Sequence, residues 1–357
     1  MNHATCRNPV FCLLPPYVLR EIARNGSPEQ REVATRALAS DGTFRSLRQV
    51  TTPSRTPRMG TSGALDPEGQ KRRTIYDVGN TQDLPGRVAR AEGQGPTGDA
   101  AVDEAYDGLG ATYDFFWEVY RRDSIDDDGL PLDGHVHFGV DYTNAFWDGT
   151  RMVFGDGDGE LFNRFTISLD VIGHELSHGV TQYESGLNYF KQPGALNEHL
   201  SDVYGSLVKQ YLLGQTAEEA DWTIGAGLLA EGVNGVALRS IKEPGTAFDD
   251  PVLGKDPQPA HMDGFVRTFE DNGGVHINSG IPNRAFYLTA AALGGNAWEV
   301  AGRIWNATAI DPRLKPDTGF RRFARLTARA AASLYGPGGP EERAVRAAWD
   351  GVGIPPA

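Results

Sequence analysis

The stretch His174-Glu175-Leu176-Ser177-His178 decides the fold of this 357-residue chain. Residues four apart lie one above the other on an α-helix, so the two imidazoles can reach one metal ion. Glu175, one position round the helix from His174, can contact a water on that ion without binding the ion. A catalytic zinc has three protein ligands and one open position. The pattern arises by chance in about one chain in a hundred of this length. The rest of the sequence therefore decides between a metal site and two surface histidines.

The third ligand must come from residues further along the chain. One known arrangement needs a glycine three residues and a histidine six residues beyond His178, but these positions hold Thr181 and Glu184. Glu198 and Asp202 are four residues apart on an amphipathic stretch, so their carboxylates share one helix face. One of them can bind the ion while the other accepts the free N–H of a ligating histidine. Glu198 is the predicted ligand, and Glu184 or a solvated acidic face are the alternatives.

Two further histidines need an interpretation. His276 comes after the glycine-rich turn that begins at Asp271 and precedes a predicted helix. A histidine beside an acid can be held as imidazolium and can stabilise a developing oxyanion. By itself it would be a turn histidine, and the H-E-x-x-H pattern favours the catalytic role. His199 points about 100° away from Glu198 on the helix and is predicted to be a packing residue.

Composition and charge exclude several classes of protein. The net charge of −13 argues against nucleic acid as the main partner, and no apolar run is long enough for a membrane span. The first 58 residues hold nine arginines against four acids, so the remainder carries −18. We expect the basic front and the acidic body to attract each other, with an exposed basic linker as the alternative.

The cysteines and the N-terminus bear on redox state and compartment. Cys6 and Cys12 are the two cysteines, so no disulfide and no CxxC motif is expected in the body. The apolar run Val10–Leu14 is too short for a signal peptide and is followed by Pro15-Pro16. Without a classical signal, we expect either a cytoplasmic location or export by another route.

The periodicity predicts a short front piece, a mixed β-rich half and an α-rich half. Residues 51–60, rich in proline, serine, threonine and arginine, are predicted to be an exposed linker. Strands are predicted over 74–78, 135–140 and 151–154. Helices are predicted over 16–40, with a break near 26–28 left open, and over 99–122, 169–182, 195–213, 280–293 and 317–335.

Several stretches, in the same order, resemble the thermolysin-like (gluzincin) metalloproteases, and most closely their protealysin branch. They are Asn144-Ala145-Phe146-Trp147, Gly155-Asp156-Gly157-Asp158-Gly159, the H-E-x-x-H helix, Gly194-Ala195-Leu196-Asn197-Glu198, Leu238-Arg239-Ser240 and the block Gly273–Gly280. The resemblance covers nearly the whole chain. It implies an α+β fold of two lobes, β-rich and then α-helical, with the active-site cleft between them. Pro15-Pro16-Tyr17 and the helix after it resemble that branch's compact propeptide, which is removed on activation.

The resemblance also implies a role for each site residue. Zinc would bind His174, His178 and Glu198, with Glu175 as the general base. His276 and Tyr189 would donate to the oxyanion, Asp271 would orient His276, and Asp202 would support His174, with Asn197 as a further supporting residue. Asn144, Ala145 and Arg239 would hold the substrate backbone. Phe162, Phe165, Val171, Ile224 and Leu238 would line a pocket for the residue after the scissile bond, although by their chemistry alone they are core residues.

Calcium is the one departure from the family pattern. Carboxylates of the family's paired calcium site fall here at Lys209, Thr223 and Ala226, whereas Asp170 and Asp221 remain. We therefore expect no double calcium site, and a single calcium elsewhere stays open. The Asp156-Gly157-Asp158 stretch is not an EF-hand, because Glu160-Leu161 breaks the loop pattern.

The prediction is a zinc endopeptidase with one catalytic zinc, cutting before hydrophobic residues and made as a self-processed zymogen. Its partners would be peptide and protein substrates and its own propeptide as an intramolecular inhibitor, with neither nucleic acid nor membrane. The predicted parts are the propeptide and linker (1–55), the β/α catalytic domain (56–189) and the α-helical domain (190–357). One alternative is a catalytically silent peptide-binding module with the front permanently docked. Another feature left open is a zinc cap formed by Cys6 or Cys12.

Overall fold

A six-stranded sheet organises the N-terminal half of the protein. The computed structural model describes residues 11–50 and 69–356, so Cys6 and the predicted linker over 51–60 lie outside the described residues. The sheet order is β1-β5-β6-β4-β2-β3, with β2–β4 and β4–β6 parallel and the other pairs antiparallel. Its strands are β1 (Phe11–Cys12), β2 (Arg73–Asp77), β3 (Arg87–Ala91), β4 (Leu132–Val136), β5 (Ala145–Trp147) and β6 (Met152–Phe154).

Helices form most of the remaining structure. The front has α1 (Pro16–Asn25) and α2 (Pro28–Val50), and α3 (Ala100–Tyr120) packs on the sheet. The C-terminal half contains α4 (Leu169–Tyr183), α5 (Lys191–Leu213), α6 (Asp271–Asn278), α7 (Gly280–Leu293), α8 (Ala301–Ala309), α9 (Phe320–Tyr335) and α10 (Pro340–Gly351). Two short ribbons, β7 (Thr223–Ile224) with β8 (Arg239–Ser240) and β9 (Asp249–Asp250) with β10 (Gly254–Lys255), lie between α5 and α6. The predicted α+β class is confirmed, and no described helix meets the length and hydropathy of a membrane span.

The close crossing of α4 and α5 depends on two glycines. A Cβ atom on Gly205 would lie 2.3 Å from the carbonyl oxygen of Asp170, and one on Gly173 would lie 3.1 Å from the Cα of Gly205. Real Cβ atoms do not approach backbone as closely as 2.3 Å, so only glycine at Gly205 permits this packing. The crossing brings the helix that carries H-E-x-x-H against the helix that carries Glu198.

The front segment, residues 11–50, adds an edge strand to the sheet. β1 pairs antiparallel with β5, with Phe11 opposite Trp147 and Cys12 opposite Phe146. Behind the strand, α1 buries Val18 and Leu19, and each such side chain contributes about 1.5–3 kcal/mol. The exposed ion pair between Arg20 and Glu270, at 2.9 Å, contributes less than about 1 kcal/mol. Apolar burial and strand pairing therefore outweigh charge attraction in this docking.

The structure corrects the predicted strand over 135–140 and settles the break in the first helix. β4 ends at Val136, because His137 has a φ of 55° and Gly139 a φ of 68°, both outside the extended region. The front helix is interrupted between Asn25 and Pro28, so the break near 26–28 that the sequence left open is present. The short strand β5 was not predicted, since three consecutive apolar residues show no alternation.

His137, at the end of β4, holds two loops together. Its Nδ1 lies 2.9 Å from Asp156 Oδ2 and its Nε2 lies 3.0 Å from Asp99 Oδ2. Asp99 is the N-cap of α3, and its side chain accepts hydrogen bonds from the backbone of Ala101 and Val102. The hydrogen bond to Asp156, together with the charge of both carboxylates, raises the pKa of His137 to about 9 despite burial.

The raised pKa of His137 predicts a loss of stability at alkaline pH. An imidazole in an unfolded chain has a pKa of about 6.5, so the stabilisation is complete below that pH and is lost as the pH rises through about 9. We expect His137→Gln to lower the free energy of unfolding by about 1 kcal/mol at about pH 6, and the deficit to vanish at about pH 10. Thermal melts at both pH values measure this deficit in stability. The control is His261→Gln, which changes a more exposed histidine. A deficit that is equal at both pH values would contradict the charged bridge.

Candidate active site

Three buried side chains from α4 and α5 converge between the two halves. The Nε2 atoms of His174 and His178 are 3.1 Å apart. Glu198 Oε2 lies 3.5 Å from Nε2 of His174, and Oε1 lies 3.5 Å from Nε2 of His178. Within residues 11–50 and 69–356, these three form the one group of three or more histidine, cysteine or acidic side chains whose ligand atoms lie within 4.8 Å of one another.

The hydrogen bonds of the two imidazoles place their lone pairs towards each other. His178 donates from Nδ1 to Asn197 Oδ1 over 2.8 Å, and Nδ1 of His174 lies 2.8 Å from Asp202 Oδ1. Burial, and then the nearby His174, hold the pKa of His178 well below its usual value, so its Nε2 carries no proton. Two facing lone pairs beside a carboxylate repel unless a cation lies between them.

These residues fit a zinc ion. A tetrahedral zinc with ligands about 2.1 Å away keeps its ligand atoms about 3.4 Å apart, close to the separations of 3.1 and 3.5 Å found here. Oε2 of Glu198 is buried and has no hydrogen-bond donor among the described residues. Two imidazoles and one carboxylate are also the donor set of a catalytic zinc.

Asp202 and Arg239 form a fully buried ion pair behind His174. Arg239 donates from Nη2 and Nε to Asp202 over 2.9 and 3.1 Å. Burial would raise the pKa of Asp202, but the charges of Arg239 and His174 and their hydrogen bonds hold it far below its usual value. Asp202 is therefore a carboxylate that supports a ligand histidine, the arrangement expected behind a metal-binding imidazole.

Glu175 lies on the same helix as the two histidines and is also buried. Its Oε2 accepts a hydrogen bond from the backbone N–H of Trp147, on β5, over 3.1 Å. A carboxylate held by its neighbouring strand keeps a fixed position beside the three-residue cluster. This geometry suits a general base acting on a water at that cluster.

His276 and Tyr189 contact each other and Glu198 at the cluster. His276 Nδ1 lies 2.6 Å from Asp271 Oδ1, and its Nε2 lies 3.2 Å from the hydroxyl of Tyr189. Tyr189 donates to Glu198 Oε1 through a very short hydrogen bond. Burial alone would lower the pKa of His276, but the charges of Asp271 and then Glu198 raise it. The pair supplies an N–H and an O–H at the ligand cluster.

The front segment lies in the cleft with its backbone held as a peptide would be. Leu13 donates its N–H to the carbonyl of Ala145 over 3.1 Å, and Leu14 donates to Asn144 Oδ1 over 2.9 Å. Arg239 Nη1 donates to the carbonyl of Leu13 over 3.2 Å. Each residue predicted to hold a substrate backbone thus contacts this chain's own backbone.

The carbonyl of Cys12 fixes the register of this segment. Its oxygen lies 3.1 Å from Nε2 of His276. The carbonyl group of the Cys12–Leu13 peptide bond therefore lies at His276, with the fully buried Leu13 on its C-terminal side. Cys12 is not a member of the cluster of candidate ligands, so the structure gives its backbone carbonyl, not its thiol, as the group at His276.

The residues predicted to line an apolar pocket are all buried. The rings of Phe162 and Phe165 lie 6.1 Å apart, and Ile224 pairs with Arg239 across the β7–β8 ribbon. Leu238 donates its backbone N–H to the carbonyl of Ile224. All five residues belong to the continuous core, with Val171 on α4 as the fifth. Their role in a pocket stays a prediction.

Lys209 occupies the position predicted to exclude calcium. Its Nζ donates to Asp170 Oδ2 over 2.6 Å, to Asp221 Oδ1 over 2.9 Å and to the carbonyl of Thr223 over 2.9 Å. Asp170 is fully buried. Burial lowers the pKa of Lys209, but the charge of Asp170 more than compensates and the net pKa is raised. One ammonium group thus donates hydrogen bonds to three oxygen atoms, which would otherwise face one another without a cation between them.

The alternatives for the third ligand are wrong. Glu184 pairs with Arg122 at 2.6 Å, and Glu198 and Asp202 are fully buried, so they form no solvated acidic face. His199 is a buried packing residue, as predicted, but it also makes hydrogen bonds that the sequence did not indicate. They run to Asn283 and Trp305, which lie 84 and 106 residues away and carry no local motif.

A two-lobed fold in which an H-E-x-x-H helix and a glutamate of the next helix converge on one point is typical of a zinc metallopeptidase. Two family models agree: "Thermolysin metallopeptidase, catalytic domain" matches residues 62–182 and "Thermolysin metallopeptidase, alpha-helical domain" matches residues 185–354. The chain belongs to the thermolysin metallopeptidase family.

Known relatives cover most of the chain. An "Extracellular metalloprotease" of Pectobacterium carotovorum subsp. carotovorum is 55% identical over 97% of both chains. The solved structure "Precursor of Protealysin, Metalloproteinase from Serratia proteamaculans" is 54% identical, with a TM-score of 0.87 over 96% of this chain and 99% of that one. A "Thermolysin" of Alicyclobacillus acidocaldarius is 37% identical over 78% of this chain and 50% of its own. The predicted family and its protealysin-type precursor are confirmed.

Proposed function

We propose that the protein is a zinc-dependent endopeptidase whose front segment inhibits it until it is removed. The observation that carries this proposal is the buried convergence of His174, His178 and Glu198, with the Nε2 atoms of the two histidines 3.1 Å apart and the Glu198 oxygens 3.5 Å from them. Zinc bound there would polarise the peptide carbonyl and lower the pKa of water. The three parts of the proposal are a propeptide with its linker (1–55), a β/α domain (56–189) and an α-helical domain (190–357).

Glu175 is proposed as the general base. Because Trp147 holds its Oε2, the carboxylate can take a proton from the attacking water without leaving its position. The same group can then deliver that proton to the amine that leaves.

His276 and Tyr189 are proposed to stabilise the negative charge that develops on the carbonyl oxygen. The raised pKa of His276 favours imidazolium, with Asp271 orienting the ring from Nδ1. Donors fixed before the reaction starts need no reorganisation as charge develops, which is the main source of such stabilisation. The 3.1 Å approach of the Cys12 carbonyl oxygen to His276 supports this role.

Substrate peptides are proposed to bind as the front segment does. Asn144, Ala145 and Arg239 would then hold the two residues after the scissile bond, and Phe162, Phe165, Val171, Ile224 and Leu238 would accept the first side chain. Support comes from Leu13, a large apolar residue that is fully buried at that position. A catalytically silent module is not favoured, since every proposed catalytic group is present and the similar proteins carry the names of proteases.

We also propose that the protein needs no structural calcium at the Lys209 position. The ammonium group already has three oxygen partners within 2.9 Å. A divalent ion in addition would bring two cations into contact, which costs several kcal/mol in a buried site.

Glu175→Gln tests the general base. We expect the variant to bind zinc as the native chain does, because Glu175 is not a ligand, and to hydrolyse peptides at least about a hundredfold more slowly. Zinc content by elemental analysis and casein hydrolysis give the two measurements. Glu231→Gln, on an exposed residue, is the control. Full activity in Glu175→Gln would reject the assignment, and an inactive native enzyme would favour the silent module.

Leu13→Asp tests inhibition by the front segment. A buried aspartate at this position has no partner to balance it, so the strand should leave the cleft more readily. We expect hydrolysis of a small peptide to begin earlier after zinc is added than in the native precursor. Thr35→Asp, on an exposed position of α2, controls for the added charge. Equal lag times in all three chains would contradict the inhibitory role.

Lys209→Met tests the ammonium bridge. Removing it leaves Asp170 buried and unpaired, so we expect the free energy of unfolding to fall by about 3 kcal/mol. Lys315→Met, on an exposed lysine, should cost little. Thermal melts with and without millimolar calcium provide the second measurement. A rise in the native chain's melting temperature with calcium that Asp221→Asn abolishes would refute the calcium-free site.

A further inference from the structure

A chain of buried hydrogen bonds leads from Trp305, on α8, to His174. The indole Nε1 of Trp305 lies 2.7 Å from His199 Nε2. His199 Nδ1 lies 2.7 Å from Asn283 Oδ1, and Asn283 Nδ2 lies 2.9 Å from Asp202 Oδ2. Asp202 in turn contacts His174 Nδ1 at 2.8 Å. All five residues are fully buried.

Donor chemistry fixes the direction of every bond in this chain. An indole N–H can only donate, so His199 must accept at Nε2 and carry its proton at Nδ1. That proton must then be donated to the carbonyl oxygen of Asn283. The amide is thereby oriented with its NH2 group towards Asp202, which as a carboxylate can only accept. The other tautomer of His199 would require the Asn283 amide to turn over, which would place its carbonyl oxygen against the Asp202 carboxylate.

We propose that Trp305, His199 and Asn283 are positioning residues that orient Asp202 on His174 and thereby tune zinc binding. The inference rests on the proposed zinc site, and it assigns a function to three residues outside the ligand set. Arg239 brings a positive charge and N–H groups to both oxygens of Asp202, and Asn283 adds a neutral N–H to Oδ2 that helps to hold Oδ1 at His174. Such outer partners of ligand histidines affect metal affinity by roughly tenfold or more when they are lost.

The tryptophan beside Trp305 provides a matched control. Trp349 is fully buried, stacks on Trp305 with ring planes 8° apart, and donates its indole N–H to Thr327 Oγ1 over 2.8 Å. Replacing either tryptophan by phenylalanine removes one indole N–H from the same aromatic stack. Only the change at Trp305 removes a member of the hydrogen-bond chain that leads to His174.

Zinc affinity of the full-length chain, measured by competition with a chromogenic chelator, tests the proposal without relying on activity. We expect Asn283→Leu to weaken zinc binding roughly tenfold and Trp305→Phe to weaken it measurably less. Trp349→Phe should leave zinc affinity unchanged even if it lowers the melting temperature as much as Trp305→Phe does. Equal effects of the two tryptophan variants on zinc affinity would overturn the inference.

The double variant distinguishes a chain from two separate structural effects. Once Asn283 is absent, the state of His199 no longer reaches Asp202, so Trp305→Phe should not weaken zinc binding further. Losses of zinc affinity that add in the double variant would refute the chain. If Asn283→Leu fails to fold, the comparison of zinc affinity between Trp305→Phe and Trp349→Phe still tests the proposal. Failure of the zinc proposal itself would appear differently, as a native chain that binds no zinc.

Discussion

The structure depends on two imidazole lone pairs and a carboxylate facing one another in a water-poor interior. Such an arrangement repels itself, and a cation is what makes it stable. It exists because α4 and α5 cross at Gly173 and Gly205, where no side chain separates the helices. Asn197 and Asp202 lie at the Nδ1 atoms of the two rings, so both Nε2 atoms face the carboxylate of Glu198. Helix packing, proton placement and metal affinity are thus three aspects of one constraint.

The front segment meets this site through the backbone, not through a special side chain. An antiparallel edge strand offers the same N–H and C=O groups as any extended peptide, so the cleft cannot distinguish its own chain from a substrate by these contacts. The distinction lies in the helix that comes directly after the strand. α1 buries Val18 and Leu19 against the body, and a free peptide ending within the cleft lacks that attachment.

Features set by helix periodicity could be predicted from the sequence, and features set by distant contacts could not. The spacing of His174 and His178 and the shared face of Glu198 and Asp202 result from the turn of about 3.6 residues. The left-handed backbone of His137, which ends β4 early, is decided by its two carboxylate partners and has no periodic signal. The substrate-side roles of the cleft residues came from resemblance alone, because a buried phenylalanine looks the same in a core and in a pocket.

The ammonium group of Lys209 affects how the stability of the protein depends on the ions in its surroundings. A bound mineral ion stabilises a fold only in proportion to its free concentration, and a sequestering agent can withdraw it. A cation attached to the chain by covalent bonds is present at every dilution. At this one position the packing of α5 against Asp170 would then not vary with the supply of any mineral ion, and a sequestering agent would leave this contact unchanged.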